Sequence, residues 1–220
     1  FYLTCGHCYW CRINRETLCD NFKGYVGRAC DGGYAEYIKL PADNFLTLPE
    51  GMDWKKHPAE IGVICDAIAT PVKVTRRARV TPTDTVAVIG AGGGLGVHML
   101  MVSRWAHARK VIAVDTKAAK FESCLKAGAD ETIDASDDKV AQQLIEHTGG
   151  RGVDVVINFV CTKDTIEAGI AGLNKGGRLM LLAGNGQRFD ADGPTIMRKE
   201  IEIMGSRYAI IDLLAIAPFY

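Results

Sequence analysis

From Thr85 onward, short apolar runs alternate with longer segments in which apolar residues recur every three or four positions. Val86, Val88 and Ile89 form a β-branched run with the composition of a strand buried on both faces. A glycine cluster and about ten largely apolar residues follow, which reads as a turn opening a helix. A second strand-like run over 111–114 ends in Asp115. Beyond it the pattern predicts helices over 117–126, 139–147 and 165–173, and strands over 131–134, 153–160, 179–182 and 201–204. In the 117–126 helix Phe121 and Leu125 share one face, Gly149-Gly150 ends the next helix, and Gly176-Gly177 makes the turn after the third. Alternating strands and helices imply an α/β fold with a parallel sheet and right-handed crossovers.

Upstream the pattern is different. Asp31-Gly32-Gly33 predicts a turn, and 34–40 an alternating strand halted at Pro41. A second turn is expected at Pro49-Glu50-Gly51. The segment 59–77 has helical apolar spacing, with a break expected at Pro71. It carries Cys65, Asp66 and Thr70 among Ile, Val and Ala, an unusual setting because burying an unpaired charge is costly.

Composition narrows the function classes. The 220 residues suit one large domain or one and a half, and 48% hydrophobic with 24% charged residues is ordinary for a globular protein. Lys plus Arg equals Asp plus Glu, at 26 each, so nothing favours nucleic acid or an anionic membrane. No apolar run reaches a membrane-spanning length and no signal peptide is visible. The chain starts with Phe1, directly at what reads as a strand end, and is taken as an excerpt of a longer protein. Four of its eight cysteines crowd into Cys5, Cys8, Cys11 and Cys19. Clustered thiols without a secretory signal point to metal in a reducing, cytoplasmic compartment rather than to disulfides.

Two stretches carry chemistry. In the first, Cys-x-x-Cys-x-x-Cys is followed by a returning Cys19, a spacing that can close a sulfur tetrahedron around zinc. Four thiolates leave no open position, so that metal is structural. His7 lies beside better ligands and is expected to face solvent. In the second, strand, glycine turn, helix, strand and acid follow in the order a dinucleotide site requires. Glycines admit the pyrophosphate, the helix start offers free N–H groups, and Asp115 accepts hydrogen bonds from the adenosine ribose of NAD. Counting back from Gly96, the fingerprint positions are Ala91, Gly93 and Gly96, so the first glycine is displaced to Gly90 or Gly92.

These motifs resemble the medium-chain, zinc-containing alcohol dehydrogenases. The four-cysteine lobe is similar to that family's structural zinc lobe, with Asn14 where the lobe usually has glycine; asparagine too tolerates a left-handed backbone. DGGYAEYIKLPADNFLTLPEGMD resembles the return into the catalytic domain, and the glycine turn, GVDVVINFV and GGRLMLLAG resemble the coenzyme domain. The likeness covers nearly the whole chain in the family's order. It implies a doubly wound Rossmann sheet over 73–220, preceded by part of a GroES-like β catalytic domain over 1–72 whose zinc lobe is 5–19.

The resemblance also implies roles. Asp66, four before Thr70, matches the third protein ligand of a catalytic zinc, with its neighbour Cys65 as competitor; adjacent helical residues point about 100 degrees apart, so one geometry cannot use both. His57 precedes Asp66 by nine residues, but no family motif puts it at a metal. Thr70 matches the threonine beside the nicotinamide. Gly93, Gly94 and Leu95 match the pyrophosphate turn, and Lys120 the lysine that supports the ribose, against the plainer reading of a solvated helix lysine. Val160, and Ala183 or Gly184, match backbone along the nicotinamide. Gly205-Ser206 fits the family, while Arg207 is out of register. The first catalytic cysteine, the histidine ligand and the proton-relay hydroxyl of the family precede the lobe, and a closing segment follows the last strand. The implied activity is zinc-dependent hydride transfer between an alcohol or carbonyl substrate and NAD, in a dimer or tetramer. The alternatives are an enoyl or quinone reductase, whose members usually lack the four-thiol lobe, and a non-catalytic nucleotide-binding or sensor protein. A zinc ribbon on nucleic acid is disfavoured by the zero net charge.

Overall fold

The structure is a computed structural model that describes residues 1–48, 51–184 and 187–208. It divides into two compact units, Phe1–Ala69 with Tyr208, and Thr70–Arg207.

In the first unit an antiparallel bridge joins Tyr2 to Tyr25, and a ring cluster gathers around the buried Tyr2: Phe1, Phe22, Tyr25 and Tyr208. Between the bridged residues runs the cysteine lobe, with one short helix, α1 (Tyr9–Arg12), and a 3₁₀ turn at Glu16–Leu18. Asn14 stands between them at φ 58, the left-handed conformation that asparagine adopts at low cost.

The strand expected over 34–40 does not form. No described residue pairs with its backbone, and Tyr34 and Tyr37 are almost fully exposed. Alternation supplies a strand with two faces but not with a neighbour, and without a ladder it has nothing to bond to. Of the turn expected at Pro49-Glu50-Gly51, the first two residues lie outside the described residues.

Helix α2 (Pro58–Val63) passes through a π-turn (Ile64–Ile68) into α3 (Ala69–Arg77). Pro71 therefore does not break the helix. It lies just past the π-turn in the continuous helical run 58–77, where the wider turn accommodates a residue that has no N–H to donate. Cys65 is exposed and Asp66 half-buried, so the costly buried charge expected there is absent.

The second unit holds a six-stranded parallel sheet. The strands are β1 (Thr85–Ile89), β2 (Lys110–Asp115), β3 (Glu131–Asp134), β4 (Val153–Asn158), β5 (Leu173–Leu181) and β6 (Glu202–Gly205). Their order is β3-β2-β1-β4-β5-β6, all neighbours parallel. The connecting helices are α4 (Gly94–Trp105), α5 (Phe121–Lys126), α6 (Val140–Glu146), α7 (Lys163–Ala171) and α8 (Gly193–Lys199). Every residue of β1 is buried. One core layer joins Ala87, Ile89, Ile112, Val114, Val156 and Leu179 to Ile166 and Ile170 of α7. By strand alternation Val86, Val88, Val111 and Ala113 face the other side, and they too are fully buried. Burial on both faces explains why these strands read as continuous apolar runs. Each fully buried Ile or Leu contributes on the order of 1.5–3 kcal/mol.

Three details differ from the sequence pattern. β5 begins at Leu173 rather than after Gly176-Gly177, which sit in a register shift inside it, with Gly176 at φ 69. Cys124, not Leu125, is the buried residue of α5. Helix α8 was not expected, although Asp192, whose side chain accepts from the Thr195 N–H, and Pro194 in the first turn are its start signals.

Candidate functional site: a thiol cluster and the carboxyl edge of the sheet

The lobe brings its four thiols within 4.8 Å of one another. The Sγ–Sγ separations are 3.5 Å for Cys8–Cys11, 3.6 Å for Cys5–Cys19 and 3.9 Å for Cys8–Cys19. A tetrahedron with Zn–S bonds near 2.3 Å has edges of about 3.8 Å, so the donor set fits that ion without rearrangement. Backbone N–H groups aim at the sulfurs, from Cys5 to Cys19 Sγ (3.4 Å) and from Cys8 to Cys5 Sγ (3.3 Å). Hydrogen bonding from the His7 backbone, against partial burial, draws the Cys5 thiol down to about 5. Burial, reinforced by the neighbouring Cys8 and Cys19 thiols, pushes Cys11 up to about 12. Four thiolates packed this closely repel one another, and a divalent cation among them relieves that repulsion. The His7 ring is exposed and turns to the Cys5 carbonyl, 2.7 Å from Nδ1.

These cysteines are the only group of three or more metal-ligand side chains among the described residues. Asp66 and Cys65 lie in the π-turn and His57 at the start of α2, where it pairs with Glu60 at 3.6 Å. Asp66 belongs to no group of three or more such ligands among the described residues. Thr70 is buried in α3.

The second constellation lies where the sheet order reverses, between the carboxyl ends of β1 and β4. Gly90 leaves β1 at φ 81, and its carbonyl accepts the Gly93 N–H at 3.1 Å, closing the tight turn. Gly96 packs against that turn so closely that an added Cβ would stand 2.2 Å from the Gly90 oxygen. Gly90 is thus the displaced first glycine of the fingerprint. Gly93 caps α4, and the N–H groups of Gly94, Leu95 and Gly96 have no acceptor among the described residues. A Cβ on Gly94 would meet nothing within 4 Å.

Asp115 ends β2 beside this turn. Its Oδ2 accepts the Gly92 N–H at 2.8 Å and its Oδ1 the Lys117 N–H at 3.0 Å. Lys120 Nζ donates to the Gly92 carbonyl at 2.7 Å. A Cβ on Gly92 would lie 2.5 Å from the Lys120 side chain and 3.0 Å from Asp115 Oδ2, so this close cradle requires glycine. Open N–H groups at a helix start beside a half-buried carboxylate match the polar groups of a dinucleotide.

Val160 follows β4 and faces the turn, 3.0 Å from the position of a Cβ on Gly90. Ala183 follows β5; its N–H donates to Cys161 Sγ at 3.4 Å. Gly184 is the last described residue before Asn185 and Gly186, which lie outside the described residues. Behind Val160 and Ala183 stands Asn158, fully buried, whose Oδ1 accepts the N–H groups of both Val160 and Cys161 at 2.9 Å. A single asparagine closing an apolar run gave the sequence no signal of this network.

A doubly wound parallel sheet, a glycine turn at its reversal point and an acid closing the second strand are the features of the dinucleotide-binding α/β class. The zinc-binding dehydrogenase family model matches residues 94–212, and the alcohol dehydrogenase GroES-like domain matches residues 1–50. The chain belongs to the zinc-binding dehydrogenase family. It is 31% identical over 201 residues to an NAD-dependent alcohol dehydrogenase of Saccharolobus solfataricus, covering 91% of this chain and 56% of the relative. A Sulfurisphaera tokodaii protein of the same name is 30% identical with the same coverage. The crystal structure of an alcohol dehydrogenase from the archaeon Aeropyrum pernix superposes with a TM-score of 0.86 at 29% identity, covering 99% of this chain and 64% of that one. The chain thus spans a little over half the length of these curated relatives. Among the described residues no helix is long and apolar enough to cross a membrane.

Proposed function

We propose that this chain is the coenzyme-binding part, with an attached structural zinc lobe, of an oxidoreductase that exchanges a hydride between an alcohol or carbonyl compound and NAD. The observation that carries this reading is the Asp115 carboxylate held against the glycine turn by the Gly92 N–H at 2.8 Å. Asp115 receives the ribose hydroxyls, the turn at Gly93 with the open N–H groups of Gly94 and Leu95 faces the pyrophosphate, and Lys120 supports the ribose side. Val160 and Ala183 present backbone to the nicotinamide, with Thr70 beside it. When bound, the coenzyme accepts or gives the hydride, and these residues bind and orient it. Asp66 is the candidate ligand of a catalytic zinc in the complete protein.

Cys5, Cys8, Cys11 and Cys19 hold the structural zinc, which closes the lobe within the GroES-like part assigned to 1–72; the coenzyme part is 73–220. The enoyl or quinone reductase reading is weakened by this lobe. The protein is cytoplasmic and assembles as a dimer or tetramer in this reading, with no nucleic acid or membrane partner.

Coenzyme choice is the direct test. A carboxylate against the 2′-phosphate of NADP costs on the order of 1–3 kcal/mol, so NADPH should bind about 10- to 100-fold more weakly than NADH. Fluorescence titration of the chain with each coenzyme measures this, and equal affinities would count against the assignment. The lobe has its own test: one zinc per chain by metal analysis, lost in Cys11→Ser while NADH still binds. Full zinc in that variant would remove the four-sulfur site.

A further inference from the structure

We infer that Asn158 is a positioning residue for the nicotinamide end of the coenzyme, acting through the backbone of Val160, Cys161 and Ala183. The inference rests on the NAD reading above. Asn158 is the last residue of β4, at the point where the sheet order reverses. Its side chain is fully buried and both ends are occupied: Oδ1 accepts the N–H groups of Val160 and Cys161 at 2.9 Å, and Nδ2 donates to Thr165 Oγ1 at 3.1 Å. Its backbone carbonyl accepts the Leu182 N–H at 3.1 Å and the Cys161 thiol at 3.1 Å.

The same thiol receives the Ala183 N–H at 3.4 Å, and the next residue, Phe159, donates its N–H to the Ile89 carbonyl at 3.1 Å. Asn158 thereby joins the carboxyl ends of β4 and β5, and its neighbour Phe159 joins them to β1.

This arrangement includes backbone strain at Cys161. Cys161 is a buried, non-glycine residue at φ 53, a conformation that side chains other than Asn and Asp adopt at a cost. The two N–H bonds to Asn158 hold the chain in that bend. The bend in turn sets where Val160 stands against Gly90 and where the Cys161 sulfur meets Ala183. The adenosine side, with Asp115, Lys120 and Gly92, is bonded separately and shares none of these contacts. Loss of the Asn158 amide should therefore loosen one half of the coenzyme site and leave the other half intact.

The test compares two ligands that share the adenosine half. NADH and ADP-ribose are titrated against the wild-type chain, Asn158→Ala and Asn158→Asp. For Asn158→Ala, the NADH Kd should rise about tenfold while that of ADP-ribose stays within about twofold, since two backbone donors lose their acceptor on one side only. Asn158→Asp keeps the acceptor for both N–H groups and should restore most of the NADH affinity. Equal weakening of both ligands, or unchanged NADH binding, overturns the inference. If circular dichroism finds Asn158→Ala unfolded, Cys161→Ala is read by the same ratio. It removes the sulfur link between the Asn158 carbonyl and Ala183, leaves both N–H bonds to the Asn158 amide in place, and should give a NADH-selective loss of about threefold; a non-selective loss overturns the inference. A wild-type chain that binds neither ligand overturns the coenzyme reading and this inference with it. Wild-type binding of both, with a non-selective Asn158→Ala, overturns this inference alone.

Discussion

At the amino ends of the strands, carboxylates that meet backbone N–H groups are also bound by side-chain donors, whereas at the carboxyl ends one half-buried carboxylate, one glycine carbonyl and one buried amide meet some N–H groups and leave others open. The Thr85 N–H donates to Asp154 Oδ2 at 2.8 Å and the Val111 N–H to Asp130 Oδ2 at 2.7 Å. Arg178 closes the same edge, donating to the carbonyls of Ala78 (2.6 Å) and Arg79 (2.8 Å) and pairing with Asp84 at 2.6 Å. The carboxyl edge has left-handed backbone at Gly90 and Cys161, a carboxylate with room to accept more bonds, and a helix start with open donors. Fully paired ions rigidify a fold but leave nothing to offer a ligand. The opposite edge keeps its polar groups partly uncommitted, which is the requirement for binding.

Gly96→Val should break this division most severely. Its side chain would begin 2.2 Å from the Gly90 oxygen and 2.7 Å from Ala91 atoms, backbone that cannot step aside. Stability should fall by about 3 kcal/mol or more, and NADH binding should be lost with the turn. A folded variant with wild-type affinity would show that the turn and helix α4 are not packed in this way.

Arg178→Met should sharpen the division from the other side. Arg178 and Asp84 have side-chain exposures of only 12% and 8%, and removing the guanidinium leaves a buried carboxylate without its counter-ion and two carbonyls without their side-chain donor. Chemical denaturation should report a loss of about 2–4 kcal/mol, while the NADH Kd of the folded protein stays within about twofold. A large change in affinity with little change in stability would reverse the roles of the two edges.

Much of this frame was legible in the sequence because both periodicities are strong. β-branched runs such as 86–89 and 111–114 become strands buried on both faces, and the order strand, glycine turn, helix, strand, acid places Asp115 beside Gly92 without any knowledge of the fold. The cysteine spacing was equally readable, since a lobe of fifteen residues is local. What the pattern could not supply is pairing. Tyr34 to Leu40 alternates as a strand does, yet no described neighbour bonds to it. Pro71 reads as a helix breaker, yet the π-turn just before it lets the helical run continue. Asn158 and Cys161 have no periodic signature; their role exists only once parallel pairing sets the end of β4 beside those of β1 and β5.

The smallest expected effect belongs to an exposed part of the amino edge. Glu131, first residue of β3, pairs with Lys110 at the start of β2 at 2.8 Å and with the His147 ring after α6. The Lys110 hydrogen bond, with help from His147 and against partial burial, holds its carboxyl below the usual value of about 4.5. A carboxyl with a depressed folded-state pKa stabilises the protein above its unfolded pKa, and that contribution is lost as pH falls through the folded value. Its side chain is 37% exposed and those of Lys110 and His147 are 24% and 33% exposed, so water and salt screen the pair. Glu131→Gln should therefore cost only a few tenths to about 1 kcal/mol at pH 7. In urea denaturation the gap between wild type and variant should close as the pH is lowered from 6 to about 3, with NADH affinity at pH 7 unchanged. A gap that persists at pH 3 would mean that Glu131 stabilises the edge through packing rather than through its charge, and that the amino end is held by its buried pairs alone.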